Sequence, residues 1–456
     1  MGGIAAIAHA AGHRVTGSDR NVYPPMSTQL RALGIELIEG YEAAQLDLQP
    51  DIIVIGNVMT RGMPVIEALL DRGLRYVSGP QWLAEALLRE RWVLAVAGTH
   101  GKTTTSSMLA WILEHDGRSP GFLIGGIPEN FGLSARLGEQ PLFVIEADEY
   151  DTAFFDKRAK FVHYHPRTLV LNNLEYDHAD IYPDLAAIER QFQYLLRTVP
   201  GSGRILCNAA DAALARVLQA GCWSQVERFA RDGGSGQQWS AQAAPHSDYS
   251  SFEILHEQRC VGSLQWSMLG AHNVDNALAA LAAARHAGVP VERGIEALRH
   301  FKGVARRMQL RGEVAGIRVY DDFAHHPTAI ASTLDGLRRR VGQQRIVAVL
   351  EPRSQTMRLG VHQAALAASL QAADEAWLYA PAGLGWNVRA AVAALGARAH
   401  VVEDLEQLLA QLSRSLLAGD QVLIMSNGGF GALHARLLAA LSARSTAGDA
   451  AAAVAE

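Results

Sequence analysis

The stretch AVAGTHGKTTTSSMLAWIL sets a lysine and three threonines directly after a glycine loop. Lysine brings a positive charge, and a threonine hydroxyl beside it can ligate a cation. Together they suit a polyphosphate. Glycines let backbone N–H groups converge on phosphate oxygens, and the start of the following helix adds a favourable dipole. On this reading Lys102 bridges the β- and γ-phosphates of ATP and Thr103 holds Mg2+. Gly98, Thr99, His100, Gly101 and Thr104 complete the cradle. The common spacing places a glycine at the position of Val96. Here the first glycine is Gly98, so the loop is a variant, GTHGKTT.

Two further segments carry chemistry. PLFVIEADEYD is an apolar run that ends in Glu146, Asp148, Glu149 and Asp151. Glu146, directly after FVI, is the expected metal ligand, while Glu149 and Asp151 read equally well as a solvated turn. TLVLNNLEYDHAD ends in the same manner with Asp177-His178. Ligands of open parallel sheets sit outside the C-terminal edges of the strands. Lys102, Glu146 and His178 are therefore expected to converge. His163 and His165 in FVHYHP are expected to be packing residues.

The elements that must position these residues follow from periodicity. Val93 to Ala97 reads as the strand and Thr103 to Leu113 as the helix around the glycine loop. Strand-like runs alternate with helical patterns throughout, which predicts an α/β protein with parallel sheets. The length of 456 residues fits roughly three domains, placed at 1–91, 92–302 and 303–456. In the third, IRVYDDFAHHP, RIVAVLEPRS, EAWLYAP and QVLIMSNGGFG each read as a strand running into a polar loop. GVARRMQLRGEVAG before them reads as a turn and crossing segment. Gly233 to Ser247 reads as a surface loop, and the Ala-rich tail from about residue 443 as frayed. The opening MGGIAAIAHAAGHRVTGSDRN reads as a helix, Gly3 to Ala11, and a strand, Arg14 to Gly17, ending at Ser18-Asp19. That is the second half of a nucleotide-binding βαβ unit.

Composition narrows the classes. Net charge is −5, which argues against a nucleic-acid protein driven by bulk positive charge. The three cysteines have no metal-binding spacing, and their scarcity fits a reducing cytosol. No apolar run reaches about 18 residues, so no membrane span is expected, and no signal-type leader is visible.

With these motifs in order, the chain resembles the Mur ligase superfamily, the ATP-dependent ligases of peptidoglycan precursors. GTHGKTTT, EADEYD, NNLEYDHAD, GAHNVDNALAA, GVARRMQ and DDFAHHP carry the likeness. It implies a Rossmann-like UDP-binding domain, a central P-loop ATPase domain and a Rossmann-like C-terminal domain. It also implies Lys102 on the transferring phosphate and Thr103, Glu146 and His178 on magnesium. Asn273 and Asn276 would lie near adenine, Arg307 would face the phosphates, and Asp322 would contact the nucleotide on domain closure. Gly2, Gly3 and Asp19 would belong to the UDP-sugar site. NVMTRGMP, YVSGPQWLAE, LEPRSQTMRLG and MSNGGFG are similar to members that join UDP-N-acetylmuramate to the murein tripeptide L-alanyl-γ-D-glutamyl-meso-diaminopimelate. The alternative is the member that adds L-alanine. A larger, anionic acceptor calls for cationic and hydroxyl groups, and Arg353, Ser354 and Arg358 are the candidates, because arginine binds carboxylate bidentately. His325 or a carboxylate would take the proton of the incoming amine.

Some superfamily members carry a carbamylated lysine shortly after the Asp-His motif. ADIYPDLAAIERQFQYLL has no lysine, so none is expected here. The resemblance also implies a strand and part of a glycine loop ahead of Met1. The first domain is therefore expected to lack a central strand and to bind UDP-sugar poorly. An NAD-dependent oxidoreductase and a nucleotide-gated binding protein are the rivals, and the phosphate loop counts against the first. A cytoplasmic location is expected.

Overall fold

The structure, a computed structural model, describes every residue except 23–25, 140, 234, 235 and 456, and only the backbone of 447–455. Its first block carries the helix Gly2–Ala10 and four short strands. Thr16–Asp19 pairs in parallel with Glu36–Glu39, and Ile53–Ile55 with Tyr76–Ser78, as two separate sheets. The opening helix therefore starts one residue earlier than expected, and the strand two residues later. Ile7, within this helix, is fully buried. A Cβ on Gly3 would meet Leu123 Cδ1 at 2.6 Å, so this helix lies close against the next domain.

The second block is built on a ten-stranded sheet. Trp92–Ala97 lies inside it, paired in parallel with Leu142–Ala147 on one side and Thr168–Leu171 on the other. All three are near-continuous apolar runs, the signature of strands covered on both faces. Arg204–Asn208 and Gln225–Phe229 extend the sheet in parallel. The helices Lys102–His115 and Ala271–His286 cover one face. The alanines of the second, among them Ala277, Ala279, Ala280 and Ala283, are fully buried against this core and keep the layer thin.

Within the span assigned to a surface loop, Trp239–Gln242 forms a strand that pairs antiparallel with Ser251–His256. Trp239 is fully buried and donates to Glu227 Oε2, so one large aromatic anchors a segment whose composition is otherwise polar. Residues 234 and 235 of that span lie outside the described residues.

The C-terminal block is a six-stranded sheet in the order Gln309–Val314, Ile317–Asp322, Gln421–Met425, Ile346–Leu350, Glu375–Tyr379, Ala399–Val402. The segment expected to be only a crossing contains the first of these strands, antiparallel to the second. The others run parallel, with apolar cores on both faces. The last strand in sequence, Gln421–Met425, inserts between two earlier ones. The loops after Asp322, Leu350 and Met425 are thereby set side by side at one sheet edge. The last helix runs from Leu433 to Ala455, and Leu441 is the last buried side chain among those described.

Candidate active site

The phosphate loop takes its shape from two glycines in left-handed backbone, Gly98 at φ 138° and Gly101 at φ 78°. A Cβ on Gly98 would meet the Asn173 carbonyl at 3.0 Å. Lys102 opens the helix. Its Nζ donates to the Gly98 carbonyl at 2.7 Å and pairs with Glu149 Oε2 at 2.8 Å. Thr103 Oγ1 donates to Glu146 Oε1 at 2.9 Å, and Gly125 N–H donates to Glu146 Oε2 at 2.7 Å. Thr104 is buried in the first helical turn. Thr99 donates to the Glu175 carbonyl, and His100 N–H to Asn173 Oδ1 at 2.7 Å.

Lys102, Glu146 and His178 do reach one strand edge, but through an intermediary. His178 sits in left-handed backbone at φ 56° with its Nε2 3.0 Å from Glu149 Oε1. Glu149, 2% exposed, thus lies between Lys102 and His178. The solvated-turn reading of Glu149 is overturned. Burial opposes its charge, yet Lys102 and His178 outweigh that and hold the carboxyl below its usual range. Burial likewise opposes charge on His178, and Glu149 outweighs it, raising the imidazole. Donor atoms of Asp148, Glu149 and His178 lie within 4.8 Å of one another.

Glu146 has a different environment. It meets one hydroxyl and one amide, and burial pushes its carboxyl upward despite the nearby charge of Lys102. A buried carboxylate beside a P-loop hydroxyl, with no cation bonded to it, is a donor set suited to a hard divalent ion. The Thr103–Glu146 pair and the Asp148–Glu149–His178 group therefore fit magnesium as two neighbouring sets rather than one.

The remaining candidate residues make contacts within the chain. Asn273 and Asn276 are buried beneath the loop. Asn276 Oδ1 accepts from Thr105 Oγ1 at 3.0 Å, its Nδ2 donates to Asn273 Oδ1 at 3.1 Å, and Asn273 Nδ2 donates to the Leu269 carbonyl. They brace the loop from behind, because their helix turns this face into the core. Asp322 accepts from Met308 N–H and Ala324 N–H, both at 2.7 Å, so each carboxylate oxygen shapes its own loop. Ser354 caps the short helix Gln355–Arg358 by accepting from Met357 N–H. Arg353 and Arg358 are exposed. Asp19 accepts from Tyr41 Oη at 3.0 Å, and Gly2 and Gly3 lie in the first helical turn.

The C-terminal domain closes over this edge. Arg307 Nη2 comes to 3.5 Å from Thr103 Oγ1, with its guanidinium over the Phe323 ring. Thr356 Oγ1 donates to Asp177 Oδ1 at 2.6 Å, and Thr328 Oγ1 to Glu175 Oε2 at 2.8 Å. His325 Nε2 lies 3.9 Å from Asp177. Sequence reasoning missed Glu175, His326, Thr328 and Thr356. The one signal available was that Glu175 comes soon after an apolar strand.

Two imidazoles at this seam predict an acid sensitivity. Burial pushes His272 and His325 down to about 4, aided by the charge of Arg307. Unfolded, each would titrate near about 6.5. Their contribution to stability is complete above that value and is lost as pH falls through about 4. The urea midpoint is expected to drop over this window, and His272→Gln with His325→Gln should flatten the drop. An unchanged slope would contradict the assignment.

A P-loop helix, parallel strand ends rich in carboxylates and a C-terminal domain closing on them define a multidomain nucleotide-dependent enzyme. Residues 1–91 match the Mur ligase family catalytic domain, 96–284 the Mur ligase middle domain, and 306–428 the Mur ligase glutamate ligase domain. The chain belongs to the Mur ligase family and is a ligase that forms carbon–nitrogen bonds. It is 54% identical to the UDP-N-acetylmuramate–L-alanyl-γ-D-glutamyl-meso-2,6-diaminoheptandioate ligase of Escherichia coli K12, over 98% of this chain and 97% of the relative. Identity to the UDP-N-acetylmuramate–L-alanine ligase of Renibacterium salmoninarum is 36%, over 77% and 73%. Among solved structures, a murein peptide ligase from Psychrobacter arcticus superposes with a TM-score of 0.75 at 46% identity, covering 97% of this chain and 96% of the other.

Proposed function

We propose that the protein uses ATP and Mg2+ to join the carboxylate of UDP-N-acetylmuramate to the amino group of L-alanyl-γ-D-glutamyl-meso-diaminopimelate, in the cytoplasm, as a step of peptidoglycan recycling. The observation that carries this reading is the 54% identity, over nearly the whole of both chains, to a ligase named for that tripeptide. No helix among the described residues is long and apolar enough to cross a membrane.

A carboxylate is a poor acylating agent because oxide is a poor leaving group. In the proposed reaction a muramate carboxylate oxygen attacks the γ-phosphorus and ADP departs, leaving an acyl phosphate. The peptide amine then attacks the acyl carbon, the carbon–oxygen bond breaks, and phosphate leaves while the nitrogen loses a proton. Phosphoryl transfer of this kind needs positioning and charge neutralisation. Magnesium held by Thr103 and Glu146 and by the Glu149–His178 group would supply part of that charge. Lys102 turns from the Gly98 carbonyl to the transferring phosphate, and Arg307 approaches from the closing domain. An α-amino group titrates near about 8, so about a tenth is already unprotonated at pH near 7. A base is therefore needed mainly after attack, and neutral His325, with Nε2 facing the seam, can accept that proton.

The test compares acceptors. With UDP-N-acetylmuramate and ATP present, phosphate release should be at least about a hundredfold faster with tripeptide than with L-alanine at equal concentration, the scale set by losing several polar contacts. Faster release with L-alanine would assign the alternative ligase. Release with neither would leave a nucleotide-gated binding protein.

A further inference from the structure

A second cluster of donors lies across the domain seam, and only its His100 also belongs to the phosphate loop described above. His100 comes from the phosphate loop and Glu175 from the end of the strand Thr168–Leu171 and its loop. His326 comes from the C-terminal domain, at the start of the helix Pro327–Val341. His100 Nε2 is 3.1 Å from Glu175 Oε2, and His326 Nδ1 is 3.3 Å from the same oxygen. The two imidazoles lie 4.6 Å apart, centroid to centroid, and one donor atom from each of the three residues falls within 4.8 Å of the others. Metal–nitrogen and metal–oxygen bonds of ~2.0–2.2 Å at tetrahedral angles set ligand atoms about 3.3 Å apart. The two measured edges match that spacing.

The hydrogen bonding around His326 leaves a gap that an ion would fill. Nδ1 faces both the Thr328 N–H at 3.3 Å and the Glu175 carboxylate at 3.3 Å. Unprotonated, Nδ1 sets its lone pair against a carboxylate. Protonated, it sets an N–H against another N–H. Either tautomer of the neutral ring therefore leaves one like-with-like contact. Burial keeps the ring neutral, pushing it down to about 3. A third imidazole, His362, packs on His326 at 4.3 Å, and its Nε2 is buried without a hydrogen-bond partner among the described residues. Two imidazoles to a single carboxylate suit magnesium poorly, since it favours oxygen ligands. Imidazole with one carboxylate suits zinc and its neighbours in the first transition row.

We propose that His100 Nε2, Glu175 Oε2 and His326 Nδ1 form a site for a divalent transition-metal ion of the zinc class, bridging the central and C-terminal domains. Three protein ligands leave the fourth tetrahedral position open to water. The ion ties the phosphate loop to the domain that closes over it. It is separate from the magnesium donors at Glu146 and Glu149.

The test uses the full chain without nucleotide or substrate, so its outcome is independent of the ligase reading. Zn2+ is titrated calorimetrically in excess Mg2+, and Co2+ is used as a spectroscopic stand-in. One equivalent of Zn2+ should bind, and Co2+ should show the intense visible bands of tetrahedral coordination. Glu175→Gln keeps the shape of the side chain, and His326→Asn keeps a residue able to cap the helix. Each should weaken Zn2+ binding by at least about tenfold, while Asp148→Asn should leave it unchanged. Melting curves identify any variant that fails to fold, and the other then decides. Absence of a Zn2+ equivalent in excess Mg2+ would overturn the proposal. So would binding that is indifferent to Glu175 and His326 but lost in Asp148→Asn.

Discussion

Replacing Lys102 with alanine is expected to lower turnover by at least about a thousandfold, the scale of removing a preorganised cation from a phosphoryl-transfer site. The side chain is only 10% exposed, and its ammonium is already aimed across the loop. Burial works against its charge, yet Glu149 and Asp148 more than compensate and raise it, so it stays charged through any working pH. No neighbour can replace it. Arg307 reaches only to 3.5 Å from Thr103 and is anchored over Phe323. Single-turnover phosphate release measures the effect, and near-normal release by the variant would remove Lys102 from the reaction.

Glu149→Gln is the second large effect, and it acts on folding as well as on rate. The carboxylate sits between an ammonium at 2.8 Å and an imidazole at 3.0 Å, and its own carbonyl accepts from Tyr182 Oη. Neutralising one member of a buried ion pair leaves the other charge uncompensated, at a cost of about 3–5 kcal/mol. The urea midpoint should fall accordingly. Turnover should fall about a hundredfold, since Lys102 and His178 lose their common orienting group. A variant with both the midpoint and the rate of the parent protein would show that Glu149 is a bystander.

Why Glu149 needed a structure while Lys102 did not is a matter of range. The phosphate loop is contiguous: strand, glycines, lysine and helix occupy one short stretch, and local physics dictates their arrangement. The convergence of Glu146 and His178 on the same edge followed from parallel strand ends, a rule of topology. Glu149 stands two residues past its strand, where alternation no longer tells inside from outside. Its burial depends on His178, 29 residues away. The contacts of Thr356 with Asp177 and of Thr328 with Glu175 span more than 150 residues and exist only because the C-terminal domain closes.

Asn273 and Asn276 illustrate a different obstacle. Their helix is apolar nearly all round, so periodicity did not show which face carries the polar pair. In the same way Trp239 turned a polar stretch into a strand through one buried side chain. The strand order of the C-terminal sheet, with Gln421–Met425 between Ile317–Asp322 and Ile346–Leu350, is what gathers the DDFAHHP, EPRS and SNGG loops. Each of those loops was legible as a strand end; their adjacency was not.

The central claim is that ATP activates the muramate carboxylate for attack by a peptide amine. Its most direct test labels both carboxylate oxygens of UDP-N-acetylmuramate with heavy oxygen and follows the label during turnover with the tripeptide. Acyl-phosphate chemistry predicts one labelled oxygen in each phosphate released, in step with amide formation. Unlabelled phosphate formed alongside amide would contradict it.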